Sequence, residues 1–223
     1  MNRQYHLILF LSLFNLLTAC NGQTNSNKTV RSEARNTAMV GGGCEGCELM
    51  YVAMPTEIHS VHESPGWTSG KQKLIVTGKI FQQDGRTPAA NVTVYYWHTN
   101  DQGLYATDDE KPGQALAHGR LRGWVKSDDS GNYTIKTSRP AAYPNDRIPQ
   151  HIHLSIKEPD ITNEYFADLY FEDDPLYPAH QKQYGRMDRA GAELLKVLQD
   201  GGIETARHNI ILGLNIPNYP HKK

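Results

Sequence analysis

The sequence is short of cysteine, of net charge and of long apolar runs, and each shortage narrows what it can be. Its 223 residues hold three cysteines. Two of them, Cys44 and Cys47 in GGGCEGCELMY, have no second cysteine pair to complete a zinc site. Lys and Arg total 23 against 24 Asp and Glu, a net charge of −1. With no basic stripe along the chain, no nucleic-acid partner is expected. The one apolar run, Leu7 to Leu17, is too short for a permanent membrane span. No internal repeat is evident.

That apolar run has another use. MNRQYHLILFLSLFNLLTAC carries Arg3 before the run and closes on Leu17-Thr18-Ala19-Cys20. This is the layout of an export signal, and its end resembles a bacterial lipobox, in which the cysteine becomes the lipidated first residue. The expectation is therefore a signal peptide over 1–19 and lipidation at Cys20. That would place the protein in the bacterial cell envelope, held to a membrane by its N-terminal lipid. Residues 20–40 are rich in Asn, Thr and Ser without apolar periodicity and read as a flexible tether. A single domain is expected over 41–223. In an oxidising compartment Cys44 and Cys47 are expected to pair as a small disulfide-pinned loop. The other readings of CxxC are a redox dithiol and half of a zinc site; three glycines precede the motif where a redox motif has a strand.

From Lys73 onward the chain reads as strands with turns between them: 73–82, 91–99, 120–127, 133–137, 150–158, 164–172 and 208–216. Only MDRAGAELLKVLQD (187–200) reads as helical. The expected fold class is mostly β, a β-sandwich with one short C-terminal helix. The long stretch 100–119 reads as a loop, a common place for function.

The stretch YPNDRIPQHIHLSI (143–156) draws attention next. His151 and His153, two apart on a strand, face the same way, about 6.6 Å apart along the chain, and can share one ion. A cupin site is excluded: Glu158 has the wrong strand parity, Pro159 ends the strand, and that motif's flanking glycines are missing.

Five ordered segments between Gly78 and Pro175 carry a family resemblance. They are GKIFQQDGRTPAANVTVYYWHTNDQGLY, GWVKSDDSGNYTIKT, SRPAAYP, PQHIHLSI and DLYFEDDP. In that order they resemble the motifs of the intradiol ring-cleavage dioxygenases, the catechol and protocatechuate dioxygenase superfamily. The resemblance implies a prealbumin-like sandwich and a mononuclear non-haem Fe(III) held by Tyr105, Tyr143, His151 and His153. Its implied reaction takes a catechol and O2, and opens the ring between the two hydroxyl-bearing carbons. The tyrosine matching Tyr143 is the one implied to leave the metal and accept a substrate proton. Phenolate oxygen and imidazole nitrogen suit Fe(III) better than zinc or copper(I), and two phenolates offset most of its charge. An ordinary phenol titrates near pH ~10, so a strong Lewis acid is needed to hold it ionised at neutrality.

Two positions depart from the family motifs. Its arginine three residues before the first histidine falls on Ile148, leaving Arg147 next door as the candidate substitute. Its glutamine falls on Asp168, a candidate base. Both family groups are implied to stabilise charge on the substrate. Among the remaining residues, Tyr96 and Trp97 are expected in the core or a pocket wall, and Tyr133 and Tyr170 in packing. His98 is expected at the surface or behind a ligand, His59 and His62 in solvent, and Asp173 and Asp174 in a surface turn. The rival function is a binding module, transthyretin-like or carboxypeptidase-regulatory-like, or an iron- or phenol-binding relative without ring cleavage.

Overall fold

A computed structural model describes residues 39–105, 107 and 116–220. The expected signal peptide, Cys20 and the tether up to residue 38 lie outside the described residues. In chain order the described elements are β1 (Val61–Glu63), α1 (Gly66–Ser69), β2 (Lys73–Phe81), β3 (Thr93–Trp97), β4 (Arg122–Lys126), β5 (Asn132–Ser138), β6 (His151–Lys157) and β7 (Tyr165–Phe171). They continue with α2 (Tyr177–Tyr184), β8 (Leu194–Leu195), β9 (Val197–Asp200), β10 (Ile203–Arg207) and β11 (Ile210–Ile211). One sheet runs β1-β5-β2-β10-β9, with β11 also on β2, and the other runs β4-β3-β6-β7-β8. The chain is thus mostly β, in two sheets, as its alternating segments imply.

Alternation explains why the sheets stack. Leu74, Val76 and Ile80 of β2 and Ile135 of β5 meet Val94 and Tyr96 of β3, Ile152, Leu154 and Ile156 of β6, and Leu169 and Phe171 of β7 in one core. Each large aliphatic buried this way contributes about 1.5–3 kcal/mol relative to exposure. The opposite parity of the second sheet points away from that core. There Tyr95, Trp97 and Trp124 pack with Met50 in a separate cluster. Met50 arrives on a 3-10 helix, Cys47–Tyr51, which also gives its carbonyl to the Trp124 indole N–H at 2.7 Å. The outer face of this sheet is therefore aromatic and covered, which leaves a sheltered place for polar groups beside it.

Several expectations change. Residues 187–200 are not a helix: Leu194–Leu195 pairs parallel with β7, and Val197–Asp200 pairs antiparallel with β10. Asp188 and Ala190 take positive φ, and the buried Glu193 carboxylate accepts hydrogen bonds from the Met187 and Asp188 amides and the Tyr177 hydroxyl. Tertiary pairing at the sheet edges overrides a locally helical composition. The helix near the C-terminal end lies instead at Tyr177–Tyr184, with Pro178 in its first turn, where a proline costs no hydrogen bond. The strand read over 208–216 contracts to Ile210–Ile211, because β2 already pairs with β10 along Lys73–Thr77 and offers β11 only Ile80 and Phe81.

Asp174 is buried rather than at the surface and accepts hydrogen bonds from the Gln150 and Leu176 amides, while Asp173 pairs in the open with Arg139. His62 is half-buried against the Tyr96 hydroxyl at 2.8 Å, whereas His59 is exposed. His98 is fully enclosed: its Nδ1 donates to the Thr99 carbonyl, and burial pushes it down to about 4. Glu158, the cupin-like carboxylate, accepts from the Tyr165 and Tyr219 hydroxyls, on the core side of the sheet.

Candidate metal centre

His151 and His153 lie on β6, the middle strand of the five-stranded sheet, and both face its outer side. Register sets Trp97 and Asp168 on either side of His153, and Tyr170 beside His151. Trp97 stacks on His153 at 4.8 Å between ring centres and on His118 at 4.0 Å, so the His153 ring leans on a packed wall.

The two phenols come from loops that are tied together. Asn100 accepts the Gln102 and Leu104 amides on its side-chain oxygen and the Ala141 amide on its carbonyl. The Thr99 hydroxyl donates to the Ala141 carbonyl at 2.6 Å. Gly103, at φ +75°, presses its Cα against the Ala142 carbonyl, where a Cβ has no room. Tyr105 and Tyr143 follow directly, and their hydroxyl oxygens end 2.6 Å apart. Gly103→Ala should therefore lower stability by about 1–3 kcal/mol through backbone clash and left-handed strain. It should also part the phenols; iron titration and thermal unfolding read the two effects separately, and unchanged iron affinity would show that the tie is dispensable.

Four atoms converge. Tyr105 Oη lies 2.6 Å from Tyr143 Oη, Tyr143 Oη lies 3.4 Å from His151 Nε2, the two histidine Nε2 atoms lie 2.9 Å apart, and His153 Nε2 lies 3.1 Å from Tyr105 Oη. The other ring nitrogens fix the tautomers. His151 Nδ1 donates to the Pro149 carbonyl at 2.7 Å, and His153 Nδ1 donates to Asp168 Oδ1 at 2.7 Å. Burial and the adjacent His153 push His151 down to about 4, so it is neutral. Burial raises the Asp168 carboxyl, but the hydrogen bond from His153 leads the opposing causes that hold it below the ordinary carboxylate value.

This geometry tests the fit of a metal. Both Nδ1 atoms face oxygen acceptors, so when both rings are neutral the two Nε2 lone pairs face each other at hydrogen-bond distance with no proton between them. The two phenol protons can serve at most two of the four contacts around the ring. A cation bound among the four atoms would resolve all four contacts, since imidazole nitrogen and phenolate oxygen are both metal donors. Burial, then the Tyr143 hydroxyl, push the Tyr105 phenol up, and burial likewise raises Tyr143. Only a strongly Lewis-acidic ion ionises such phenols at neutral pH. No group of three or more His, Cys, Asp and Glu able to hold a metal occurs among the described residues. The four converging side chains offer two imidazoles and two phenols, a candidate donor set that, with the phenols ionised by the metal, would fit Fe(III).

A cavity of about 610 Å³ opens over this centre, lined by Tyr105, Tyr143, His153, Asp168, Trp97, His118 and Phe166 on one side. Gly43 to Gly46, closed by the Cys44–Cys47 disulfide, line the other. Arg147 is not brought there: it is exposed and does not line the cavity, and Ile148 is half-buried. Asp168 is at the centre, but as the acceptor that orients His153 and not as a separate base. His118 and Phe166 had no signal in the sequence, since a lone loop histidine and a strand phenylalanine look like any others.

Two stacked sheets with two imidazoles and two phenols gathered on one outer face define a β-sandwich with a candidate metal centre. A dioxygenase family model matches residues 50–202, and the chain belongs to that family, the intradiol dioxygenases. The protocatechuate 3,4-dioxygenase beta chain of Burkholderia cepacia is 30% identical over 111 residues, covering 47% of each chain. The catechol 1,2-dioxygenase of Candida albicans is 26% identical over 153 residues, 59% of this chain and 45% of that one. The chain spans about half the length of the curated relatives it matches. Among solved structures, Acinetobacter radioresistens catechol 1,2 dioxygenase superposes with a TM-score of 0.56 at 16% identity, over 78% of this chain and 63% of that one. The dioxygenase domain of a carbohydrate-binding fusion from Streptomyces sp. SirexAA-E gives 0.51 at 20% identity, over 71% and 90%. At such identities the superpositions establish the fold.

Proposed function

We propose that the protein uses Fe(III) and O2 to open the ring of a catechol-like aromatic between its two hydroxyl-bearing carbons. That bond breaks, and each carbon becomes a carboxylate, together taking up both oxygen atoms. The observation that carries this reading is the facing pair of imidazole Nε2 atoms closed into a ring by two phenol oxygens. Fe(III) bound there would supply Lewis acidity, favouring the catecholate and shifting its electron density so that a ring carbon reacts with O2. Tyr105, packed against the Met50–Tyr95–Trp97 cluster, serves as the fixed phenolate. Tyr143 leads into the exposed turn Pro144–Arg147 and is the farther of the two phenols from its histidine, which supports it as the phenol that would accept a catechol proton. Trp97 and Phe166 supply apolar walls that keep water from the ring.

One observation favours a second reading. No arginine or lysine lines the cavity among the described residues, so none of them offers a cationic partner to charge developing on the substrate. In that reading the chain binds iron and a catechol without opening the ring. Iron-loaded protein distinguishes them. Tyrosinate–Fe(III) absorption should colour it red to purple, and anaerobic catechol should shift the colour. Oxygen consumption with an acyclic product supports ring cleavage; a colour shift without oxygen uptake supports the second reading. A colourless protein that binds no iron removes both. We also propose that the protein is exported and lipid-anchored through Cys20, a reading supported by the segment 1–20; recovery of the native protein wholly in the soluble fraction would refute it.

A further inference from the structure

The disulfide loop is the cavity wall that the proposed chemistry leaves without a role. Cys44 and Cys47 are joined across Glu45 and Gly46, and Gly46 takes φ +80°, a left-handed conformation suited to glycine. Gly46 rests against the buried His118 ring so closely that a Cβ would stand 2.7 Å from Nε2. His118 is itself held by the Tyr95 hydroxyl at 3.0 Å and by stacking on Trp97. The loop is thereby seated on the aromatic wall next to His153, and Glu45, exposed at the rim, lines the same cavity as the centre.

Among its described lining residues, the formal charge of that cavity has one sign. Among the described lining residues the only formally charged groups are Glu45 and Asp168, and both are acidic. The nearby Arg189 stays behind Phe166, stacked at 4.0 Å, and donates to the Phe166 and Gly41 carbonyls. Burial and neighbouring charge push His118 down to about 4, so its ring presents no cation at neutral pH. Asp168 is engaged by His153, which leaves Glu45, among the described lining residues, as the charge met by a substituent that projects from the catechol ring toward the rim.

We propose that this cavity selects catechols whose ring substituent is neutral or cationic over carboxylated ones, with Glu45 on the disulfide loop as the specificity-determining residue. The inference rests on the catechol-binding reading above. An anionic substituent at the rim meets like charge, whereas an ammonium meets an opposite one. At the intermediate dielectric of a half-open cavity, such a contact is worth roughly tenfold in affinity for each sign.

The test is anaerobic titration of the iron-loaded full chain, following the colour shift with catechol, 4-methylcatechol, dopamine and 3,4-dihydroxybenzoate. Dopamine should bind at least about tenfold more tightly than 3,4-dihydroxybenzoate at low ionic strength, and about 0.5 M salt should shrink that ratio. Glu45→Gln should narrow the ratio, and Glu45→Lys should narrow it further or reverse it. Glu45 is exposed, so neither change threatens folding. Equal or tighter binding of 3,4-dihydroxybenzoate by the native protein, or a ratio indifferent to Glu45→Lys, overturns the inference while leaving catechol binding intact. If unsubstituted catechol produces no shift, the metal-centre reading fails and takes this inference with it.

Discussion

Tyr105→Phe should strip the protein of most of its iron affinity while leaving it folded. Tyr105 sits on a loop, half-buried, and its ring packs beside the cluster of Met50, Tyr95, Trp97 and Trp124. Phenylalanine keeps that packing. In the metal-free protein it removes only the 2.6 Å contact to Tyr143 and the 3.1 Å contact to His153. The cost to folding is then about 1 kcal/mol, the net worth of an ordinary hydrogen bond. The metal-loaded protein loses much more, because one of two anionic donors disappears and the charge of Fe(III) is left under-compensated in a sheltered site. Loss of a metal ligand should exceed the 10- to 100-fold typical of residues that merely support ligands, so a fall beyond about 100-fold is expected. The charge-transfer band should weaken sharply at the same time. Competition against a chelator of known iron affinity, together with the visible spectrum, checks both. Iron content and spectrum matching the native protein would remove Tyr105 from the ligand set.

How much of this was readable in the sequence depends on how local the cause is. The strands β2 to β7 were legible because alternation is a property of consecutive residues, and the same parity put His151 and His153 on one face. The four-donor set was legible through ordered motifs, but its closure was not. Closure depends on Asn100 reaching Ala141, and on Gly103 touching Ala142, across more than thirty-five residues of chain. The helix expected over 187–200 failed for the complementary reason. AELLKVLQ has helical composition, yet β7 and β10 each had an open edge, and pairing with those edges decided the outcome. Cys44 and Cys47 are expected to close a small loop because a lone cysteine pair in an oxidising compartment pairs, and they are joined. That the loop would roof the cavity depends on its contact with His118, a histidine without any local signature.

Asp168 yields the sharpest test of how the centre is tuned, because its two functions can be separated by substitution. The carboxylate holds His153 in the Nδ1–H tautomer and, being anionic, makes the imidazole a stronger donor at Nε2. Its place directly opposite His153 in the β6–β7 register, with a side chain only 15% exposed, makes that contact a feature of the sheet and not of a mobile loop. Asp168→Asn retains an acceptor oxygen but removes the charge. Iron affinity should fall about 10-fold, and the tyrosinate absorption of the iron-loaded protein should move to longer wavelength, since a poorer imidazole donor leaves the metal more electron-deficient. Asp168→Ala removes orientation as well as charge, and the His153 ring is then free to change tautomer; the loss should approach 100-fold. A merely structural role predicts something different: a lower melting temperature for both variants, with the absorption maximum of the iron-loaded fraction unmoved. An Asp168→Asn protein with native wavelength and native iron affinity would therefore refute a tuning role. A graded loss from Asn to Ala, accompanied by the shift to longer wavelength, would show that Asp168 tunes the centre through the imidazole it orients.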